Sequence, residues 1–107
     1  MSLLAKKCVP CEGGTAPLSA EAAKKLLAEV SGWVLLGDAI GKEFEFKDFK
    51  EAMGFVNKVA DIAEAEGHHP DIAVRSYNKV RLELSTHAIG GLSENDFILA
   101  AKINAIL

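Results

Sequence analysis

The sequence predicts an α+β fold, a two-layer domain in which a four-stranded antiparallel sheet carries its helices on one face. Apolar residues recur first with the period of a helix and then with that of a strand, in the order α-β-β-α-β-β-α. Short turns separate the two strands of each pair, so each pair is expected to form an antiparallel hairpin. The other face of the sheet, or one of its edges, is left for oligomerisation.

The first half of the predicted domain contains one helix and one hairpin. Ser19 is a typical N-cap residue, and the helical spacing of apolar residues that follows predicts a helix over 20–30. Strands are predicted over 33–36 and 39–46, joined by a turn at Gly37 and the next residue, because the second run alternates apolar and polar positions.

A long helix over 49–66 is expected next, with Asp48 as its cap and Gly67 at the left-handed position that ends it. Its apolar side chains follow the 3.6-residue period in a stripe predicted to face the core: Phe49, Met53, Val56, Ala60 and Ala63. Three more apolar residues widen that stripe toward a second, oligomer-forming strip: Phe55, Val59 and Ile62. A stripe this wide predicts contact with both a core and a partner subunit.

The second half repeats the pattern. Strands are predicted over 72–76 and 79–86 around a turn at Tyr77, and strict alternation in the second strand places His87 on its polar side. Ser93 and Asp96 then have the spacing of a capping box for a final helix that runs to the end of the chain.

The chain of 107 residues has a length that suits a single domain. Its formal net charge of −3 gives no broad attraction to nucleic acid or anionic lipid. The apolar runs are shorter than the roughly 20 residues that cross a bilayer, and no signal-peptide core is evident. We therefore expect a cytoplasmic protein with no direct contact to DNA or to a membrane.

We expect domain 18–107 to follow a flexible N-terminal arm over residues 1–17, which holds the two cysteines of the chain, Cys8 and Cys11. Their Cys-x-x-Cys spacing suits a redox motif or half of a zinc site. A redox pair would open a helix after a strand, however, and a structural zinc site needs four ligands. These two arguments favour reduced thiols in a passive arm. A metal ion shared with a partner and a redox function remain the alternatives.

The three histidines of the chain are the strongest candidates for chemistry. Histidine donates and accepts protons near neutrality, so His68, His69 and His87 suggest proton transfer or metal ligation. His68 and His69 follow the C-terminus of the long helix, where the negative end of the helix dipole favours the protonated ring. Pro70 biases His69 toward extended backbone, so the two adjacent rings are expected to diverge.

Each candidate also has an ordinary structural interpretation. A histidine at an element boundary can be a solvated or capping residue, Glu64 a solvated helix carboxylate, and Asp96 a helix cap. Tyr77 is equally consistent with a hairpin aromatic and with a ligand contact.

The ordered set of these residues resembles the signature of the pterin-4a-carbinolamine dehydratase family, known in animals also as a dimerisation cofactor of a homeodomain transcription factor. The resemblance covers nearly the whole chain and rests on this spacing: Glu64-x3-His68-His69-Pro70-x6-Tyr77-x9-His87-x8-Asp96. It implies dehydration of 4a-hydroxytetrahydropterin, left by an aromatic amino acid hydroxylase, to quinonoid dihydropterin and water.

The resemblance also implies roles for individual residues. His68 and His87 would be the acid and the base, and the resemblance leaves open which of them plays which role. His69 would bind the substrate and discriminate between the C4a stereoisomers. Substrate contacts would come from two stretches of chain: Gly67, His68 and His69, and Ser85, Thr86, His87 and Ala88. Gly67 and Asn95 depart from animal members, which often carry an acidic residue and an arginine there.

Cofactors and partners follow from the same resemblance. The pterin is the substrate, and neither a cofactor nor a metal is implied. The alternative is a metal site built from the three histidines, but adjacent rings that diverge rarely bind the same ion. A homotetramer, assembled as a dimer of dimers, is implied, together with a transcription-factor partner and presence in the nucleus as well as the cytoplasm.

Overall fold

The computed structural model describes residues 3–8 and 16–107. Within them, three α-helices and four β-strands follow one another in the predicted order: α1 (Ala20–Leu27), β1 (Val34–Leu36), β2 (Ala39–Glu45), α2 (Phe49–Glu66), β3 (Asp71–Arg75), β4 (Lys79–Leu84) and α3 (Glu94–Ala105). Short 3-10 helices lie at Leu3–Ala5 and His87–Ile89.

The four strands form one antiparallel sheet in the order β1-β2-β4-β3. Val80, Leu82 and Leu84 alternate with partly exposed neighbours along β4, and all three are fully buried on the side of the sheet that faces the helices. Ile40 pairs with Leu84 in the adjacent strand and is equally buried. The sheet and the core therefore confirm the predicted α+β class.

Local signals fixed the ends of the helices. The side chain of Ser19 accepts from the amide of Ala22 at 3.2 Å, and that of Asp48 accepts from the amide of Glu51 at 2.8 Å. Gly67 ends α2 with a left-handed φ of 67°, which glycine adopts without strain. The first helix ends at Leu27, earlier than predicted, and a turn then carries the chain to the core.

Most of the predicted stripe of α2 was wrong by a rotation of the helix, although Ala63 is buried as predicted. Phe49 is 53% exposed and Ala60 is exposed, whereas Phe55 and Val59, assigned to an oligomer-forming strip, lie in the core of the monomer. Both rows of apolar residues satisfy the helical period, so periodicity could not choose between them. Aromatic packing decides it, because the Phe55 ring lies 4.7 Å from that of Phe44 on β2.

Part of the expected N-terminal arm is docked on the domain. Leu3 is buried in the core, and the 3-10 helix Leu3–Ala5 contacts α3. The amide and the thiol of Cys8 are both hydrogen-bonded to the body. The boundary after residue 17 stays a prediction, and Cys11 lies outside the described residues.

Candidate active site

The end of α2 directs His68 toward the start of α3. Because Gly67 takes the left-handed conformation, the amides of Gly67 and His68 both turn back onto the carbonyl of Ala63, at 2.9 and 3.2 Å. The backbone groups at the end of α2 therefore remain hydrogen-bonded where the chain reverses. Immediately beyond, Pro70 leads into β3.

His68 and Asp96 form the central contact of the site. His68 Nε2 lies 2.6 Å from Asp96 Oδ1, and the side chains are 13% and 0% exposed. An ionised carboxylate only accepts, so Nε2 carries the proton and Nδ1 is the acceptor of the neutral ring. The carboxylate thereby fixes both the orientation and the tautomer of the imidazole.

Further donors hold the Asp96 carboxylate in place. Its Oδ2 accepts from Thr86 Oγ1 at 2.9 Å and from the amide of Ser93 at 3.0 Å. The Thr86 hydroxyl also lies 2.8 Å from Ser93 Oγ. Asp96 is therefore a helix cap, as predicted from the capping-box spacing, and also the partner of a histidine.

His69 makes a similar contact in a different environment. Its Nε2 lies 2.6 Å from Glu64 Oε2, but the two side chains are 61% and 77% exposed. Both partners lie at the C-terminal end of α2, as the sequence led us to expect. Water screens such a pair strongly, so it restrains the ring far less than burial restrains His68.

His87 directly follows Thr86, which contacts Asp96, and lies beyond the end of β4. β4 ends at Leu84, and the amide of Thr86 donates to the carbonyl of Gly91 at 2.8 Å, which closes a loop. His87 therefore begins the 3-10 helix His87–Ile89, with an exposed side chain. The strand thus ends two residues earlier than predicted, but the alternation of burial continues beyond it, with Thr86 buried and His87 exposed as predicted.

A depression of about 420 Å³ lies beside His87. Ser85, Thr86 and His87 line it together with Asp38 from the β1–β2 turn. Sequence reasoning identified the first three residues but missed Asp38, because an aspartate after a glycine is an ordinary turn residue.

The remaining candidates divide into two groups. Gly67 and Pro70 flank the histidine pair, and Ala88 is exposed within the 3-10 helix that His87 begins. Tyr77 is 62% exposed in the β3–β4 loop, at the opposite end of the hairpin from Pro70. The described chain thus joins His68, Thr86 and Asp96 in one network and leaves Tyr77 remote from it.

Neither a metal-ligand cluster nor a membrane-crossing helix occurs within residues 3–8 and 16–107. No group of three or more histidine, cysteine, aspartate or glutamate residues in these ranges is placed to hold a metal ion. None of their helices has the length and apolar character that crossing a membrane requires.

Fold and site together define a small α+β domain in which a buried carboxylate holds a histidine. The profile of the family described as pterin 4 alpha carbinolamine dehydratase matches residues 16–106. The chain therefore belongs to this family.

Relatives with this dehydratase name come from distant organisms. A protein of Nitrosospira multiformis is 55% identical over 104 residues, which cover 97% of this chain and 91% of the relative. The mitochondrial pterin-4-alpha-carbinolamine dehydratase 2 of Arabidopsis thaliana is 47% identical over 109 residues, which cover 97% of this chain and 58% of that protein.

Solved structures share the fold. A transcriptional coactivator/pterin dehydratase from Brucella melitensis superposes with a TM-score of 0.79 at 37% identity, over 84% of this chain and 97% of that one. A pterin dehydratase-like protein, described as a RuBisCO assembly factor in the alpha-carboxysome, has a TM-score of 0.60 at 23% identity, over 70% of this chain and 88% of that one. The second likeness is one of fold alone.

Proposed function

We propose that the chain dehydrates 4a-hydroxytetrahydropterin to quinonoid dihydropterin and water by histidine general acid/base catalysis. The dehydratase activity follows from membership of the family and from relatives named for it. The observation that carries the histidine mechanism is the 2.6 Å contact between His68 and the buried Asp96.

The reaction needs an acid and a base that act in concert. The hydroxyl on C4a gains a proton, the C–O bond breaks, and water leaves. A proton is lost from the neighbouring ring nitrogen as the new C=N bond forms. Histidine suits both steps near neutrality, because each ring can hold or release a proton at little cost.

We assign the acid and base roles to His68 and His87. Asp96 holds the His68 ring in one orientation, as a buried carboxylate partner does for a catalytic histidine. His87 lies on the rim of the depression described above, next in sequence to the Thr86 that also contacts Asp96. The pterin would bind between them, on Gly67, Ser85, Thr86 and Ala88.

His69 is assigned to binding and to discrimination between the C4a stereoisomers. Its exposed ring and its exposed partner Glu64 can adjust to a ligand without breaking buried contacts. A residue of this kind affects affinity more than the chemical step.

An assay on the C4a carbinolamine tests the proposal. The protein is mixed with chemically made 4a-hydroxytetrahydropterin, and the loss of carbinolamine absorbance is followed. We expect catalysis that His68→Ala or His87→Ala reduces strongly. Wild-type rates in both folded variants would refute the acid/base assignment.

We propose that the activity is independent of metal and of any cofactor, because proton transfer by imidazole needs neither. Exhaustive chelation should leave the rate unchanged. Stoichiometric zinc whose removal abolishes activity would instead favour the metal-site interpretation.

We propose a homotetramer, assembled as a dimer of dimers, whose subunits meet through α2. The supporting surface is a row on that helix, here called the exposed row, in which Phe49 and Ala60 are exposed and Met53 and Val56 are partly exposed. Contiguous exposed apolar side chains favour association. Sedimentation equilibrium should give a tetramer that Val56→Glu dissociates and Lys58→Glu, on the opposite side of α2, preserves; a wild-type monomer would exclude the assembly.

The setting of the activity is proposed on the family resemblance alone. The enzyme would act in the cytoplasm, with presence in the nucleus as well, and would recycle the pterin of aromatic amino acid hydroxylases. A transcription-factor partner is the second proposed role. Co-purification from cells with wild-type protein and with Val56→Glu would test whether such a partner uses the exposed row of α2.

A further inference from the structure

The N-terminal segment 3–8 is fastened to the same two helix ends that carry the His68–Asp96 pair. Leu3 anchors it in the core, and Lys6 pairs with Glu94 at 2.8 Å on the surface. Cys8 then reaches the ends of both α2 and α3. The sequence predicts a passive arm here, whereas in the structure this stretch is hydrogen-bonded to the domain.

Cys8 is hydrogen-bonded through both its backbone and its side chain. Its amide donates to Glu66 Oε1 at 2.8 Å, and its thiol donates to the carbonyl of Asn95 at 3.5 Å. Glu66 is the last residue of α2, and Asn95 lies in the first turn of α3. One residue thereby joins two helix ends.

The Glu66 carboxylate is held from a second direction. Its Oε2 lies 3.3 Å from Lys102 Nζ of α3, and the Glu66 side chain is only 9% exposed. The Cys8 amide is the main cause that lowers the pKa of Glu66, with help from Lys102 and against the effect of burial. The carboxylate is therefore charged at neutral pH and tied to both the segment and α3.

The Cys8 thiol acts here as a donor and not as a nucleophile. Burial, followed by the negative charge of Glu66, raises the pKa of Cys8 to about 12. A protonated thiol can donate to the Asn95 carbonyl, whereas a thiolate could not.

These contacts run parallel to the catalytic pair. Glu66 lies two residues before His68, and Asn95 lies immediately before Asp96. The link Glu66–Cys8–Asn95 therefore spans the same gap that the His68–Asp96 hydrogen bond spans. Catalytic geometry is sensitive to such restraints, since a displacement of about 1 Å can cost roughly 10²-fold in rate.

We propose that Cys8 and Glu66 are positioning residues of the dehydratase site, which clamp the end of α2 to the start of α3 and so hold His68 against Asp96. The clamp rests on the proposed histidine mechanism for its effect on rate. Its effect on the geometry of His68 is independent of that mechanism.

Four variants and one matched control test the clamp in the full chain. Glu66→Ala removes both contacts of the carboxylate, whereas Glu66→Gln keeps an acceptor for the Cys8 amide. Cys8→Ala removes the side-chain donor, and Cys8→Ser replaces it. Asp61→Asn, at an exposed position of the same helix, removes one negative charge away from the clamp.

We expect Glu66→Ala to lower kcat about tenfold or more, by displacing His68, with KM changed much less. Cys8→Ala should lower kcat by about three- to tenfold, the factor of one ordinary hydrogen bond, and Cys8→Ser should restore most of it. Glu66→Gln should fall between Glu66→Ala and wild type, and Asp61→Asn should equal wild type.

The second readout is the proton NMR signal of His68 Nε2–H, assigned by its loss in Asp96→Asn. In folded Glu66→Ala and Cys8→Ala it should broaden or shift to higher field, and in Cys8→Ser it should return. A wild-type signal in both Glu66→Ala and Cys8→Ala would overturn the clamp, even if kcat fell. If the wild-type protein dehydrated no carbinolamine, the proposed function would fail while this signal still decided the clamp.

Discussion

Two adjacent histidines hold carboxylates at the same distance in opposite environments. His68 and His69 each place Nε2 at 2.6 Å from an oxygen, of Asp96 and Glu64 respectively. The first pair is buried and shares its carboxylate with other donors, whereas the second pair is exposed to water. The comparison shows that distance alone does not measure how firmly a ring is held.

The difference has a physical cause. Water screens charges and competes for hydrogen bonds, so an exposed ion pair contributes about 0–1 kcal/mol. A buried carboxylate has no water to replace a lost partner, so removing one member of such a pair costs about 3–5 kcal/mol. We therefore expect the buried pair to govern stability and rate, and the exposed pair to govern ligand preference.

The largest expected effect is that of Asp96→Asn on stability. The amide keeps the shape of the carboxylate but turns one of its two oxygens into a donor, so either His68 on one side or Thr86 and the Ser93 amide on the other lose their acceptor. The free energy of unfolding, measured with urea at pH 7, should fall by about 1–3 kcal/mol, the cost of buried donors left without an acceptor. Glu64→Gln, the matched change in the exposed pair, should cost less than about 1 kcal/mol. Equal losses would contradict the comparison.

The next effect concerns rate. His68→Ala and His87→Ala should each lower kcat by about 10²-fold or more, the usual span for a general acid or base. His69→Ala should instead raise KM and reduce the preference between C4a isomers. Steady-state kinetics on each isomer, with circular dichroism to confirm folding, distinguish these results. A loss of kcat in His69→Ala as large as that in His68→Ala would remove the distinction between the pairs.

The smallest effect comes from Glu66, a third carboxylate at the end of α2. Because its pKa is lowered in the folded protein from the ordinary value of 4.5, its contribution to stability is present above that value and is lost as pH falls through the folded pKa. The gap in unfolding free energy between wild type and Glu66→Gln should therefore be constant near neutrality and close in acid. Denaturant titrations from pH 7 to about pH 3 measure it; a gap that widens in acid would reverse the sign of the pKa shift.

Much of the site could be located from local sequence signals. Ser19, Asp48 and Gly67 marked helix ends correctly because caps satisfy the backbone of their own neighbours. The spacing of Ser93 and Asp96 predicted a capping box, which the structure confirms. Alternation along β4 correctly predicted which of its residues are buried, because successive side chains of a strand point to opposite faces of the sheet.

The sequence by itself determined the α+β class, the order of elements, the caps and the three histidines, because each depends on residues close together along the chain. Only the tertiary structure decided which row of α2 is buried, where β4 ends before His87, and that Asp96 caps α3 and holds His68 at once. The docking of Cys8 on Glu66 and Asn95 belongs with these. The contacts of α2, of His68 and of Cys8 join residues far apart in sequence, and they depend on how the helices pack on the sheet, which no local pattern encodes.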